Sequence, residues 1–125
     1  MAYDLVRQVN QEIKALSGVF VGAKVLWVRH TGPKIPRGTI RLDKLPEPVR
    51  VLETEGTGAV ISLLENDGKQ FLAIINRDYE APMRLIFSAD AKVKRILKDG
   101  TIVPASAYTP VMTVDPGDIV IYMWE

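Results

Sequence analysis

The chain has 125 residues, 47% of them hydrophobic, with 16 basic and 15 acidic side chains for a formal net charge of +1, and no cysteine. That length and apolar content suit a single domain with a core of its own. Charge spread evenly along the sequence argues against nucleic acid or an anionic membrane as partner, and the missing cysteines exclude disulfides, thiol catalysis and cysteine-ligated zinc. The longest apolar runs, "FLAII" and "IVIYMW", fall well short of the ~18 residues of a spanning helix, and no charged segment followed by an apolar one marks a signal peptide. The expectation is a soluble chain without an address.

The first element is a helix. Leu5, Val9, Ile13 and Leu16 recur at spacings of four, four and three with Val6 beside them, while Arg7, Gln8, Gln11, Glu12 and Lys14 fall on the other side. Ser17-Gly18 stops it. Everything after it has the character of strands. "KVLWVR" at 24–29 is β-branched and aromatic, and the proline- and glycine-rich "HTGPKIPRGTIRLDKLPEP" that follows is a long surface loop with one short edge strand inside it. Then come "VRVLET", "GAVISLLE", "KQFLAIINR", "APMRLIFS", "KVKRILK", "TIV", "TPVMTV" and "DIVIYMW", each bounded by turn residues. Asp67-Gly68 and Asp99-Gly100 predict hairpins, because tight hairpin turns need positive φ. Pro116-Gly117 fits the centre of a type II turn, again joining antiparallel strands.

In "PMRLIFS" Met83, Leu85 and Phe87 alternate with Arg84, Ile86 and Ser88, so one face is wetter, whereas "FLAII" and "IVIYMW" read as central strands covered on both sides. The predicted fold is mainly β: an antiparallel two-sheet β-sandwich with one N-terminal α-helix, residues 1–18 forming the helix and 19–125 the sandwich. A five-stranded oligonucleotide-binding barrel is the alternative, disfavoured by the number of strands.

No complete catalytic set stands out. The one histidine, His30, has no cysteine or second histidine with which to hold zinc, and its expected role is a hydrogen bond anchoring the proline-rich loop. Asp78 and Glu80 in "NRDYEAP" could bind calcium but lack the dense spacing of a dedicated calcium loop, so no metal or cofactor is expected. Lys92, Lys94, Arg95 and Lys98 read as charges that protect an edge strand. Neither a phosphate loop nor a dinucleotide fingerprint occurs, since "GTGAV" precedes a strand. Trp27, Phe71 and Trp124 lie inside apolar strands and are expected in the core. Tyr79 and Tyr108 fall in loops and form the candidate pair for stacking on a sugar ring.

The second half carries three patterns together: the strand ending in Asn76-Arg77-Asp78, "V-x-R-I-L-x-D-G" at Val93 to Gly100, and "V-D-P-G-D-I-x-I-Y" at Val114 to Tyr122. In these it resembles the C-terminal, immunoglobulin-like β-sandwich domains appended to bacterial (β/α)-barrel glycoside hydrolases. "YDLVRQVNQEIKALSGVFVGAKVLWVRHTG" resembles the last barrel helix of such enzymes running into the sandwich. The resemblance implies a non-catalytic accessory domain that packs against a catalytic barrel domain of the same polypeptide, possesses no catalytic residue of its own, and occupies a periplasmic or extracellular compartment. It also implies that the opening helix turns its apolar face toward that barrel. A free-standing carbohydrate-binding module, with polysaccharide as partner, is the second reading.

Overall fold

The computed structural model describes residues 19–107 and 110–125. The helix expected over residues 1–18 lies outside them. The described part is mainly β. Nine strands form in chain order: β1 Lys24–His30, β2 Val49–Glu55, β3 Ala59–Asn66, β4 Lys69–Asn76, β5 Met83–Ala89, β6 Lys94–Ile96, β7 Ile102–Pro104, β8 Val111–Val114 and β9 Ile119–Trp124. They make a six-stranded sheet in the order β1-β3-β4-β9-β6-β7 and a three-stranded sheet in the order β2-β5-β8, with every pairing between strands antiparallel.

Local chemistry accounts for the hairpins. Asp67 and Gly68 both take positive φ, 54° and 77°, which is the turn that matches the twist of β3 and β4. Asp99-Gly100 turns β6 into β7, with Gly100 at φ 89° and its N–H donating to the Leu97 carbonyl. The third turn differs from expectation. Asp118 N–H closes onto the Asp115 carbonyl at 3.0 Å and Gly117 has φ 69°, as a type II turn requires, yet β8 and β9 do not pair. β8 sits beside β5 in the small sheet and β9 between β4 and β6 in the large one, so the turn carries the chain from one sheet to the other.

The sheets pack face to face through alternate residues. Ala59, Ile61 and Leu63 of β3, Leu72 and Ile74 of β4, and Val120, Tyr122 and Trp124 of β9 meet Leu52 of β2, Met83, Leu85 and Phe87 of β5, and Val114 of β8. The Phe87 and Tyr122 rings stack across the two sheets with centroids 3.7 Å apart and planes within 8°. Burial pushes the Tyr122 hydroxyl up to about 12, opposed in part by the charge of Arg95.

β4 and β9 occupy the middle of the large sheet and are buried on both faces, as their continuous apolar runs predict. Leu72 and Ile74 are fully buried toward the small sheet, while Phe71 and Ala73 are buried on the opposite face together with Ile121 and Met123 of β9. Two further expectations are corrected. The proline-rich loop contains no strand, only a single parallel bridge between Arg41 and His30. Its prolines remove backbone donors, so pairing cannot run further. Likewise β6 is not an edge, because β7 flanks it.

Ile74 is fully enclosed between the sheets, so Ile74→Ala should lower the unfolding free energy by ~2–5 kcal/mol in a urea titration with an unchanged slope. A loss under ~0.5 kcal/mol would show that the two layers are not packed at that point.

Candidate functional site

Three surface regions carry the side chains with chemical potential: the loops at the C-terminal end of β4, a groove beside Trp27, and the outer edge of β1.

At the end of β4 the polar residues are committed to bracing loops. Asn76 is 1% exposed, and its amide Nδ2 faces the carbonyls of Ala81, Val114 and Asp115 at 3.0, 3.2 and 3.3 Å while its Oδ1 accepts the Asp78 N–H at 3.0 Å. One buried side chain thus ties the β4–β5 loop to the turn between β8 and β9. Removing it would leave buried carbonyls unpaired, at ~1–3 kcal/mol each. Arg77 reaches the other way. Its guanidinium donates to Nδ1 of His30 at 3.0 Å and to the carbonyls of Lys34 and Thr57 at 3.0 and 2.9 Å. Arginine has only donors, so Nδ1 must be the acceptor nitrogen and the imidazole is neutral with its proton on Nε2.

His30 also holds the long loop through its backbone, donating to the Ile40 carbonyl and accepting from Leu42 N–H, both at 2.9 Å. It therefore anchors the proline-rich loop, as expected from sequence. Its pKa lies below the usual 6.5, first because burial disfavours the cation and second because the Arg77 charge repels it. Beneath this network the strand ends approach closely. A Cβ on Gly58 would sit 2.0 Å from the Thr31 carbonyl oxygen at φ +116°, so only glycine fits there.

Asp78 is equally occupied. Its Oδ2 accepts from the Thr57 hydroxyl at 2.7 Å and its Oδ1 from the Glu80 and Ala81 N–H groups at 2.8 and 3.1 Å. The Thr57 bond first, then the two backbone bonds, hold this carboxyl below the usual carboxylate range. Among the described residues no group of three or more histidine and carboxylate side chains could hold a metal.

Of the two tyrosines expected to contact sugar, Tyr79 is 86% exposed, with its ring edge over Gly117, and Tyr108 lies outside the described residues. The structure instead brings together a set that sequence reasoning missed. Trp27 is only half-buried and lines a groove of about 470 Å³ with Arg29, Asp43, Lys44, Glu47 and Gln70. The Arg29 guanidinium lies over the Trp27 ring, 5.3 Å from its centroid. The irregular register between Val25 and Trp27 sets Trp27 opposite Leu63, at the margin of the core it packs against, and a bulge leaves no signal in composition. The groove runs along the β1 side of the sheet, from Gln70 at the start of β4 to Arg29, which the register sets level with Ile74, whereas the Tyr79 loop follows the C-terminal end of β4.

The third region is apolar. Val25, Leu26 and Val28 on β1, an edge of the large sheet, are 56%, 37% and 41% exposed, and Phe20, Val21 and Ile40 beside that strand's ends are exposed as well. Comparison with protein-family models, with curated proteins and with solved structures found no match to this chain.

Because His30 is neutral in the fold, an unfolded chain takes up its proton first as the pH falls. The stability it contributes is intact above 6.5 and is lost as the pH drops through 6.5 toward the lowered folded value. The signal of this sole imidazole should titrate below 6.5 by proton NMR, and His30→Gln should flatten the pH dependence of the unfolding midpoint in that window. A midpoint above 6.5 would contradict the neutral assignment.

Proposed function

We propose that this sandwich is a non-catalytic accessory domain of a glycoside hydrolase-like protein, packing against a catalytic (β/α)-barrel domain that these 125 residues do not include. The observation that carries the reading is the apolar strip on β1. Where Ile40, Ile102 and Val111 are exposed singly, β1 exposes Val25, Leu26 and Val28 together on an edge strand, with Phe20 and Val21 exposed just ahead of it. Adjacent exposed apolar groups of this kind mark protein contact surfaces. The N-terminal end is also where a preceding domain attaches. The polar networks support the same reading, because Asn76, Arg77 and Asp78 spend their hydrogen bonds on their own loops.

The test pairs the full chain with the barrel domain encoded upstream of it. Val25→Lys combined with Val28→Lys should weaken their association by about tenfold or more while leaving near-ultraviolet circular dichroism unchanged. A reading frame without such a barrel, or wild-type affinity in the charged variant, would overturn the proposal. The same reading expects no turnover of aryl glycosides by the isolated chain, and turnover abolished by changing one carboxylate would defeat it.

The groove at Trp27 favours a second reading, a carbohydrate-binding module. Beside Trp27, whose ring carries the Arg29 guanidinium, the side chains of Asp43, Glu47 and Gln70 offer the hydrogen-bond partners a saccharide needs. Calorimetric titration with oligosaccharides should then give heats that Trp27→Ala removes. Binding that persists in Trp27→Ala but disappears in Tyr79→Ala would move the sugar to the β4–β5 loop.

A further inference from the structure

β2 is an outer strand of the three-stranded sheet, with β5 on one side and no strand on the other. Where its free backbone groups point follows from β5. Phe87 N–H donates to the Pro110 carbonyl at 2.8 Å, on the β8 side, and successive residues of a strand direct their backbone groups to opposite sides. Arg84, Ile86 and Ser88 therefore face β2, where they meet Glu55, Glu53 and Val51. The residues between, Leu52 and Thr54, must send N–H and C=O outward. Among the described residues no backbone group bonds to them on that side. The β1–β2 loop does not close this edge, because Leu42, Asp43 and Leu45 stand off residues 50–53 across a groove of about 250 Å³.

The side chains along the same strand carry a charge order. The register irregularity between Val49 and Val51 lets Val49 and Leu52, three residues apart, both enter the core, which leaves Arg50 and Val51 on the outer face with Glu53 and Glu55. Arg50, Glu53 and Glu55 are exposed. Arg50 pairs only loosely with Asp90 at 3.9 Å and Glu55 with Arg84 at 3.8 Å, so little holds either in place. The strand is thus positive near its start and negative toward its end, an order that matches itself when run antiparallel.

We propose that β2 is the edge through which two copies of this chain join, antiparallel about a two-fold axis at Leu52. The Leu52 backbones then exchange N–H···O=C bonds across the axis, and the two small sheets fuse into one of the order β8-β5-β2-β2-β5-β8. Val51 lies opposite Glu53 of the second copy, and Arg50 lies beside Glu53 and Glu55 of the second copy on the outer face. Registers centred on residues 53 and 54 fail, since they set Glu53 against Glu53 or Glu55 of the other copy, and like charges directly opposite repel. This self-matching charge order is what commits the edge to a second copy. A contact of one strand edge falls at the small end of protein interfaces, so the dimer is reversible, with a dissociation constant on the order of 0.1 mM. The inference does not rest on the accessory-domain reading and uses a different strand from the β1 strip.

Sedimentation equilibrium and amide exchange on the full chain decide it. Between ~10 μM and ~1 mM the mass should rise from monomer toward dimer. The Leu52 and Thr54 amides should exchange fast in dilute solution and slow with concentration, while that of Glu53, already bonded to β5, stays slow throughout. Arg50→Glu should weaken the dimer by about tenfold, because attraction becomes repulsion at two symmetric places, and Arg50→Glu with Glu53→Arg should restore it. Val25→Lys with Val28→Lys should leave it intact. A chain that stays monomeric, association that leaves Leu52 and Thr54 unprotected, or association lost in the β1 variant would overturn the proposal. Slowing of Leu52 and Thr54 that appears only with an added extended peptide would give the edge to a foreign strand and overturn it too.

Discussion

The structure depends on a mismatch between its two layers. Six strands on one side face three on the other, and the central strands of the larger sheet are apolar on both faces. β4 sends Leu72 and Ile74 inward and Phe71 and Ala73 outward, and β9 repeats this with Tyr122 against Ile121 and Met123. Each fully buried aliphatic side chain contributes ~1.5–3 kcal/mol only if both sides are covered. The small sheet can satisfy one face alone. The outer side chains of these strands are nonetheless buried, in a second cluster that Val19 joins from outside the sheet.

Polar chemistry is concentrated where the strands end, and its work is mechanical. Asn76 holds the turn that carries the chain between sheets, while Arg77 and His30 hold the loop between β1 and β2. The Lys98–Asp118 pair at 2.8 Å adds a partly solvated link between the β6–β7 turn and the same crossing turn. Such exposed pairs contribute ~0–1 kcal/mol, so the buried amide of Asn76 outweighs it. The loop side chains that carry hydrogen-bonding groups are thus spent on the fold itself.

The strands were legible because their signals are local. Alternation in "PMRLIFS", continuous apolar runs in β4 and β9, and positive φ at Asp67-Gly68 each involve a few adjacent residues. What escaped depends on partners distant in sequence. Nothing near Asp115–Asp118 says that β8 belongs to β5 rather than β9, since the same type II geometry serves a hairpin and a crossing between sheets. The lysines of "KVKRILK" looked like edge protection because the short β7 that covers β6 carries so little pattern. Trp27 was read as core, and it does pack against the main cluster, but only partly buried, so that it also lines the groove. Of the candidate sugar contacts, only Tyr79 could be located. His30 was legible through elimination: one imidazole without metal partners leaves a hydrogen bond as its use.

The margins of the large sheet have a consequence for colloidal behaviour. At one side β7 is three residues long and ends in Pro104, which has no N–H to offer a neighbour. At the other, the register of β1 breaks between Val25 and Trp27, and its last residue is already bridged to Arg41. A foreign strand would find too few regularly spaced donors on either side to extend the ladder. Growth of a cross-β ladder is therefore blunted at both margins of the large sheet, which leaves side-chain contact at the apolar β1 surface as its route to reversible association.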